Sequence, residues 1–392
     1  MFTARKSFAL TLVPAALTVA FGLLSPASAQ TYSLTKLGIL PGGTFSYGNA
    51  VNDSGQVAGQ SNSGAGNQQA TLYSGGVLSS LNPASSSGNA INALGQVTGI
   101  AQTSAPGAVT VNQAYVYSSA TGATTFLPTF GGNFSEGFGI NNSGQVVGSS
   151  ATADNNNRAF LYSGSKLTDV DKILGGGTNF NDSVANGISS NGKITGAVYG
   201  SYAYTYDSKS GAVNFLPSLR NPSPTDPNQG FGSVGNSIND SGQVTGYNIT
   251  SAGTEHAVLY GSDGALTDLT PNLADNVSAF GQSINASGQV VGEIVPGAPF
   301  TNPNAFLFSN GVVTDLNTLI APGSGFDLLY ANGISDNGNI TGFGFSNGHV
   351  QGYLLTPLPV PEAATSVSFG FGVLCLGALF LRARKRLARD DA

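Results

Sequence analysis

The chain has 392 residues, 40% of them apolar, which excludes a disordered polymer and leaves ample material for a buried core. Charged residues reach only 9%, while glycine numbers 55, about twice its usual ~7% share, so short strands and tight turns are favoured over long surface helices. One cysteine and two histidines, His256 and His349, exclude a disulfide framework, a cysteine-based zinc site and a cysteine redox pair, and no metal or cofactor is expected.

Residues 1–29 have the layout of a cleavable signal peptide. Arg5 and Lys6 precede an uncharged apolar run from Phe8 to Leu24, and Ala27, Ser28 and Ala29 form a small-x-small cleavage site that places the mature start at Gln30. Signal peptidase is the implied partner. A lone strand-like run follows, SLTKL at 33–37.

One unit then recurs seven times: NAVNDSGQVAG (49–59), NAINALGQVTG (89–99), FGINNSGQVVG (138–148), NGISSNGKITG (186–196), NSINDSGQVTG (236–246), QSINASGQVVG (282–292) and NGISDNGNITG (332–342). The turn glycines are Gly55, Gly95, Gly144, Gly192, Gly242, Gly288 and Gly338, spaced 40 to 50 residues apart. Asn, Asp or Ser beside a glycine that tolerates positive φ predicts a hairpin. Two residues after each glycine stands Val or Ile, the β-branched type that a sheet core requires. A second run follows each copy (ATLY at 70–73, AFLY at 159–162, AVLY at 257–260), then a third such as KLTDV (166–170) or ALTDL (265–269). The seventh copy lacks the third run.

Four antiparallel strands in about 47 residues predict a propeller blade. The expected fold is therefore all-β: a seven-bladed β-propeller over 30–359, its last blade completed by SLTKL, so that the two ends pair and no edge is left open. The repeats resemble the HAF family of extracellular repeats, Glu255-His256-Ala257-Val258 coming nearest to its name-giving triad. That resemblance spans most of residues 32–356 and implies no catalytic activity.

Strand direction sends the tight turns to one face and the long connections (100–113, 149–158, 217–236, 293–304) to the other, which is the expected contact surface. Arg158, Arg220 and His256 are non-repeating polar residues there and are the candidate ligand-face side chains. Phe45, Phe134, Phe180, Phe231, Phe280 and Phe326 precede successive repeat cores, and their recurrence favours packing between blades over ligand stacking. Asp169 with Asp171, and Asp268 with Asp275, have the form of paired glycosidase acids, but the recurrence of Asp169, Asp268 and Asp315 favours a structural role. From Gln30 to Pro359 there are 17 acidic and 7 basic residues, a net of −10, which argues against nucleic acid as a partner.

Ala363 to Leu381 is a 19-residue uncharged stretch followed by Arg382, Arg384, Lys385, Arg386 and Arg389, the layout of a transmembrane helix with a cytoplasmic basic stop. Val360-Pro361-Glu362, this helix and the basic terminus resemble the PEP-CTERM sorting signal, with Ala363 where the family has its second proline. The resemblance implies an exosortase-like processing enzyme, transient anchoring of 360–392 in the inner membrane with the propeller facing the periplasm, and final delivery to the cell surface or extracellular matrix. The expected role is a non-enzymatic structural or binding module with polysaccharide as partner. The alternatives are a carbohydrate hydrolase or lyase on a propeller scaffold and a self-associating matrix protein. Acidic and cationic side chains gathered at the channel mouth would favour the enzyme, whereas a lining of Gly, Ala and Asn would not.

Overall fold

The repeat core folds as a hairpin because its turn chemistry is local. In the first copy the Asn52 side-chain oxygen accepts from the backbone N–H groups of Ser54 and Gln56, both at 3.1 Å, while Gly55 adopts a φ of +71°. The other six turn glycines stand at φ +70° to +88°, where a Cβ would be strained. The β-branched residue that follows (Val57, Val97, Val146, Ile194, Val244, Val290 or Ile340) is at most 1% exposed in every copy.

The computed structural model describes residues 30–82, 84–103, 110–175, 182–198, 202–220, 232–297 and 302–359. Their strands pair as four-stranded antiparallel blades, numbered here by the repeat each contains. Blade 1 comprises Ser46–Val51, Val57–Asn62, Gln68–Ser74 and Val77–Ser80; blade 2 comprises Ser86–Ile91, Gln96–Thr103, Val111–Ser118 and Thr124–Phe126. Blade 3 holds Gly131–Ile140, Val146–Thr152, Asn157–Ser163 and Lys166–Asp169; blade 4 holds Ser183–Ile188, Lys193–Val198, Tyr202–Asp207 and Val213–Phe215. Blade 5 is Ser233–Ile238, Val244–Ile249, Glu255–Tyr260 and Leu266–Asp268; blade 6 is Val277–Ile284, Val290–Pro296, Asn304–Ser309 and Val312–Asp315. A single parallel bridge, Phe134 to Asn112, joins blades 2 and 3 into one eight-stranded sheet.

The last blade has three consecutive strands, Asp327–Ile334, Ile340–Ser346 and His349–Pro357. Its fourth is Tyr32–Lys36, paired antiparallel with His349–Pro357 from Tyr32 opposite Pro357 to Lys36 opposite Tyr353. The compact unit so formed runs from Thr31 to Leu358.

Packing between blades explains residues that local propensity does not. The Thr98, Thr195, Thr245 and Thr341 hydroxyls each donate to a third-strand carbonyl of their own blade at 2.7 to 2.9 Å. On the following blade the residue facing that oxygen is Gly137, Gly235, Gly281 or Gly48, and a Cβ there would collide with the hydroxyl. The Thr341 and Gly48 pair carries this contact from the last blade to the first. Third-strand tyrosines are buried and tie the blade inward: the Tyr115, Tyr204 and Tyr353 hydroxyls donate to the Ser87, Val184 and Tyr330 carbonyls at 2.8 to 3.0 Å. Such a donor has a buried carbonyl to satisfy, which explains tyrosine in the second run.

Two expectations need correction. The run KLTDV is a strand only to Asp169, after which Val170–Gly175 turns into a short helix, and Leu316–Leu319 forms a 3₁₀ helix at the same place in blade 6. The stretches assigned to long connections are shorter than expected, because second strands run on to Thr103, Thr152 and Pro296. The signal segment 1–29 and the sorting segment 360–392, with the sorting motif and the basic stop, lie outside the described residues. Among the described residues no helix is long and apolar enough to cross a membrane.

Candidate ligand-binding channel

The first strand of each blade is innermost, and together these strands enclose a cavity of about 310 Å³. Its wall combines small first-strand residues such as Asn49, Ala90, Gly187 and Ser237 with a ring of Val or Ile, among them Ile91 and Ile238, and with Asp53, Asp240 and Asp336; Phe138 and Gln282 stand where the other blades have asparagine. Small residues are required here: a Cβ on Gly187 or Gly333 would come within 3.1 Å of the next blade's backbone.

The amides of the wall are spent on the scaffold. Asn49 donates to the Gly88 carbonyl, Asn89 to Gly137, Asn186 to Gly235, Asn236 to Gly281 and Asn332 to Gly48, all at 2.9 to 3.0 Å. A second tier lies at the tight-turn end, where Asn52 donates to the Asn92 carbonyl, Asn92 to Asn141, Asn141 to Ser189, Asn239 to Asn285 and Asn285 to Ser335. In blade 4 and the last blade this asparagine is replaced by Ser189 and Ser335. The turn then carries Asn191 or Asn337 two residues later, whose amide donates across to the Asp240 or Asp53 carbonyl at 2.8 Å. The cross-blade bond survives because the polar pair has exchanged places.

The carboxylates at this end are committed too. Asp240 accepts from the backbone N–H of Ser190, Asp336 from that of Ala286 and Asp53 from that of Asn337. No group of three or more His, Cys, Asp or Glu that could hold a metal occurs among the described residues.

The candidate ligand-face residues are not brought together. Arg158 and His256, expected in loops, occupy equivalent positions in the third strands of blades 3 and 5. Arg158 Nη1 lies 2.9 Å from Asp169 Oδ2, and His256 Nδ1 lies 2.8 Å from Asp268 Oδ2. Both aspartates come from the LTD run of the same blade, so each polar residue is held by its neighbouring strand, and His256 is only 8% exposed. Arg220 follows blade 4, half-buried, its backbone N–H donating to Ser218 Oγ. Of the imagined acid pairs, Asp169 is engaged by Arg158 and Lys172 and Asp268 by His256, whereas Asp171 is buried with its Oδ1 unpartnered and Asp275 is exposed; the recurring Asp315 caps the 3₁₀ helix by accepting from Asn317 N.

Among the recurring phenylalanines, Phe326 is buried edge-on against Tyr353, whereas Phe45 and Phe280 are half-buried and contact Tyr47 and Tyr247. Phe180 and Phe231 lie outside the described residues.

Two carboxyl groups beside the channel were not singled out from the sequence. Glu136 accepts from Asn89 at 2.8 Å, and burial holds its carboxyl above the usual range. Glu293 is 5% exposed; its Oε1 accepts from Gln282 at 2.8 Å, while its Oε2 has no hydrogen-bond partner, and burial pushes it up to about 7. The signal that marks them is departure from the repeat: the residues matching Glu293 in blades 1 to 3 are Gln60, Ile100 and Ser149.

No protein-family model and no curated protein matches this sequence. Solved structures with a similar chain path include the β-propeller domain of the trilobed protease from Pyrococcus furiosus, described as having an open velcro topology, at 9% identity and a TM-score of 0.37 over 70% of this chain and 96% of that domain. YCF48 bound to a D1 peptide is similar at 11% identity and a TM-score of 0.47, over 86% of this chain and all (100%) of that one. TolB from Acinetobacter baumannii is similar at 13% identity and a TM-score of 0.42; 69% of this chain is covered, and the match spans 61% of the TolB chain. The blade assignment rests on the strand pairing itself.

Proposed function

We propose that this chain is an exported, ring-closed, seven-bladed propeller that acts as a non-enzymatic binding module for extracellular polysaccharide. On this reading the signal peptide is cleaved before Gln30, and residues 360–392 anchor the protein briefly in the inner membrane. A PEP-CTERM and exosortase type of system then moves it to the surface or matrix. One observation carries the non-enzymatic reading: the polar groups of the channel wall are bonded into the scaffold, the asparagine amides to carbonyls of the next blade and the Asp53, Asp240 and Asp336 carboxylates to backbone N–H groups of a neighbouring blade. A catalytic centre needs an acid, base or nucleophile free to meet substrate, and Glu293, whose Oε2 has no hydrogen-bond partner, is only 5% exposed and is not part of the channel lining. The candidate Arg and His side chains are instead taken up by aspartates of their own blades. The closed ring is supported by the bonds from Asn332 to Gly48 and from Asn337 to Asp53, which link the last repeat to the first.

The sorting half of the reading has its own test. Cells expressing the chain without residues 360–392 are fractionated beside cells expressing the full chain. The truncated protein is expected in the soluble exported fraction and the full chain in the membrane or surface fraction; a truncated form that stays with the membrane refutes the anchor.

A further inference from the structure

One layer of the propeller departs from its own repeat in four consecutive blades and not in the other three. Where the first strand leaves the long connections, two residues before the channel-lining position, its residue is paired with one on the second strand. In blades 2, 3 and 4 these pairs are Ser87 with Ile100, Glu136 with Ser149 and Val184 with Ala197. From blade 5 through blade 1 the same layer holds Tyr247, Phe280, Tyr330, Phe343 and Tyr47. The strand-core position after each turn glycine is Val or Ile in every copy; these aromatics, like the Thr and Gly seam contacts, occur in some blades only.

Nor do they belong to the interior. All five are half-buried, and none is a member of the buried hydrophobic clusters, which draw on other tyrosines and phenylalanines such as Tyr353, Tyr204 and Phe306. They touch one another instead. Tyr330 stacks on Phe343 at 4.4 Å between ring centroids, Phe343 meets the edge of Tyr47 at 4.5 Å, and Tyr47 continues to Phe45 at 5.1 Å. Tyr247 and Phe280 meet edge to face at 5.1 Å across the seam between blades 5 and 6.

We propose that this aromatic sector, at the long-connection ends of the first and second strands from blade 5 to blade 1, is the platform on which uncharged sugar rings of a glycan lie, an inference that rests on the reading of the chain as an exported polysaccharide-binding module. The electron-rich ring faces attract the C–H faces of pyranose rings, and Gln60, opposite Tyr47 in the same layer with its Oε1 accepting from Gln68, has amide N–H groups suited to sugar hydroxyls. Charge complementarity decides the class of glycan. The propeller carries a net −10, and the one charged side chain in the aromatic half of the layer is the carboxyl of Glu293, so a uronate or sulfated polymer is repelled.

The chain has no tryptophan, so Phe343→Trp places a single tryptophan, excited selectively apart from the tyrosines, in the platform. The full chain and its F343W, Y47A/F343A and L94A variants are titrated with hydroxyethylcellulose and with alginate, by affinity electrophoresis for all and by fluorescence for F343W. Leu94 is exposed in a tight turn at the opposite end of the channel and is the control. Hydroxyethylcellulose is expected to bind the full chain, F343W and L94A, with a shift of the tryptophan emission, and to bind Y47A/F343A at least about tenfold more weakly, roughly 1.4 kcal/mol. Neutral-glucan binding that leaves F343W emission unmoved and survives in Y47A/F343A overturns the platform while keeping the glycan-binding function. Binding of alginate alone overturns the uncharged class, and binding of neither polymer overturns the proposed function itself. F343W keeps an aromatic ring in place, so it tests the site even where Y47A/F343A fails to fold.

Discussion

A single asparagine side chain shows how the repeat is held. Asn92 is 4% exposed; its amide donates to Gln96 Oε1 at 2.8 Å and to the Asn141 carbonyl of the next blade at 2.9 Å, while its oxygen accepts from the Leu94 and Gln96 backbones. Asn92→Ala removes all four bonds, the cross-blade one to the Asn141 carbonyl among them, and takes the acceptor from the Gln96 N–H, so a loss of roughly 2–4 kcal/mol is expected in urea unfolding. Glu293 makes the opposite kind of contribution. Its folded pKa of about 7 lies above the ordinary 4.5, so between these values the native state keeps a proton that the unfolded chain has released. Stability from this residue therefore declines as pH rises from about 4.5 to 7, by up to about 3 kcal/mol, and then levels off. Glu293→Gln should raise the melting temperature at pH 8 and leave it unchanged at pH 4; equal effects at both pH values would show that the buried charge is not the cause. Tyr330 and Tyr353 are the titratable groups that face it, and both are held above their ordinary range by burial first and by Glu293 second. The turn glycines were legible in the sequence because a hairpin turn is a property of four adjacent residues. The roles of Arg158 and His256 were not, because their aspartate partners are 11 and 12 residues away and become neighbours only through strand register.

The N-terminal strand is the element on which closure depends. Tyr32 is 3% exposed in the core of the last blade, Leu37 is 4% exposed against blade 1, and the Leu37 N–H donates to the Gly352 carbonyl at 3.0 Å. Removing residues 30–38 takes away two buried side chains worth roughly 1.5–3 kcal/mol each and a ladder of backbone bonds, and leaves His349–Pro357 as a bare edge. A fall in melting temperature of roughly 10 °C is expected in calorimetry, with concentration-dependent aggregation. Unchanged melting would mean that the last blade is complete without it. This element could be assigned from sequence because the repeat defines a vacancy: seven copies of the core, six of the third run and one stray strand-like run. The helical turns after Asp169 and before Ile320 could not, because KLTDV and VVTDL fit a strand equally well. What ends those strands is the aspartate, which accepts from the Lys172 or Asn317 N–H and starts a helical turn.

For the whole molecule, the two faces differ in kind. The tight-turn end is repetitive and closed by Asn, Asp and Ser bonds that run from blade to blade, so its chemistry is used in holding the scaffold. The long-loop side is where the repeat is broken, by the aromatic layer from blade 5 to blade 1 and by the carboxyls of Glu136 and Glu293. That asymmetry separates scaffold from candidate function without any catalytic motif. The sequence by itself determined the unit, its four strands, its turn geometry and the supply of a missing strand from the other end of the propeller, because turn chemistry and alternating burial act within a window shorter than one repeat. Only the tertiary structure decided which side chains meet across the seams: Asn332 with Gly48, 284 residues apart, the glycine that makes room for Thr341, the Glu293 oxygen left without a partner, and the aromatic rings that meet between the last blade and the first. Those contacts depend on how one blade sits against the next, and no stretch of a single repeat carries that information.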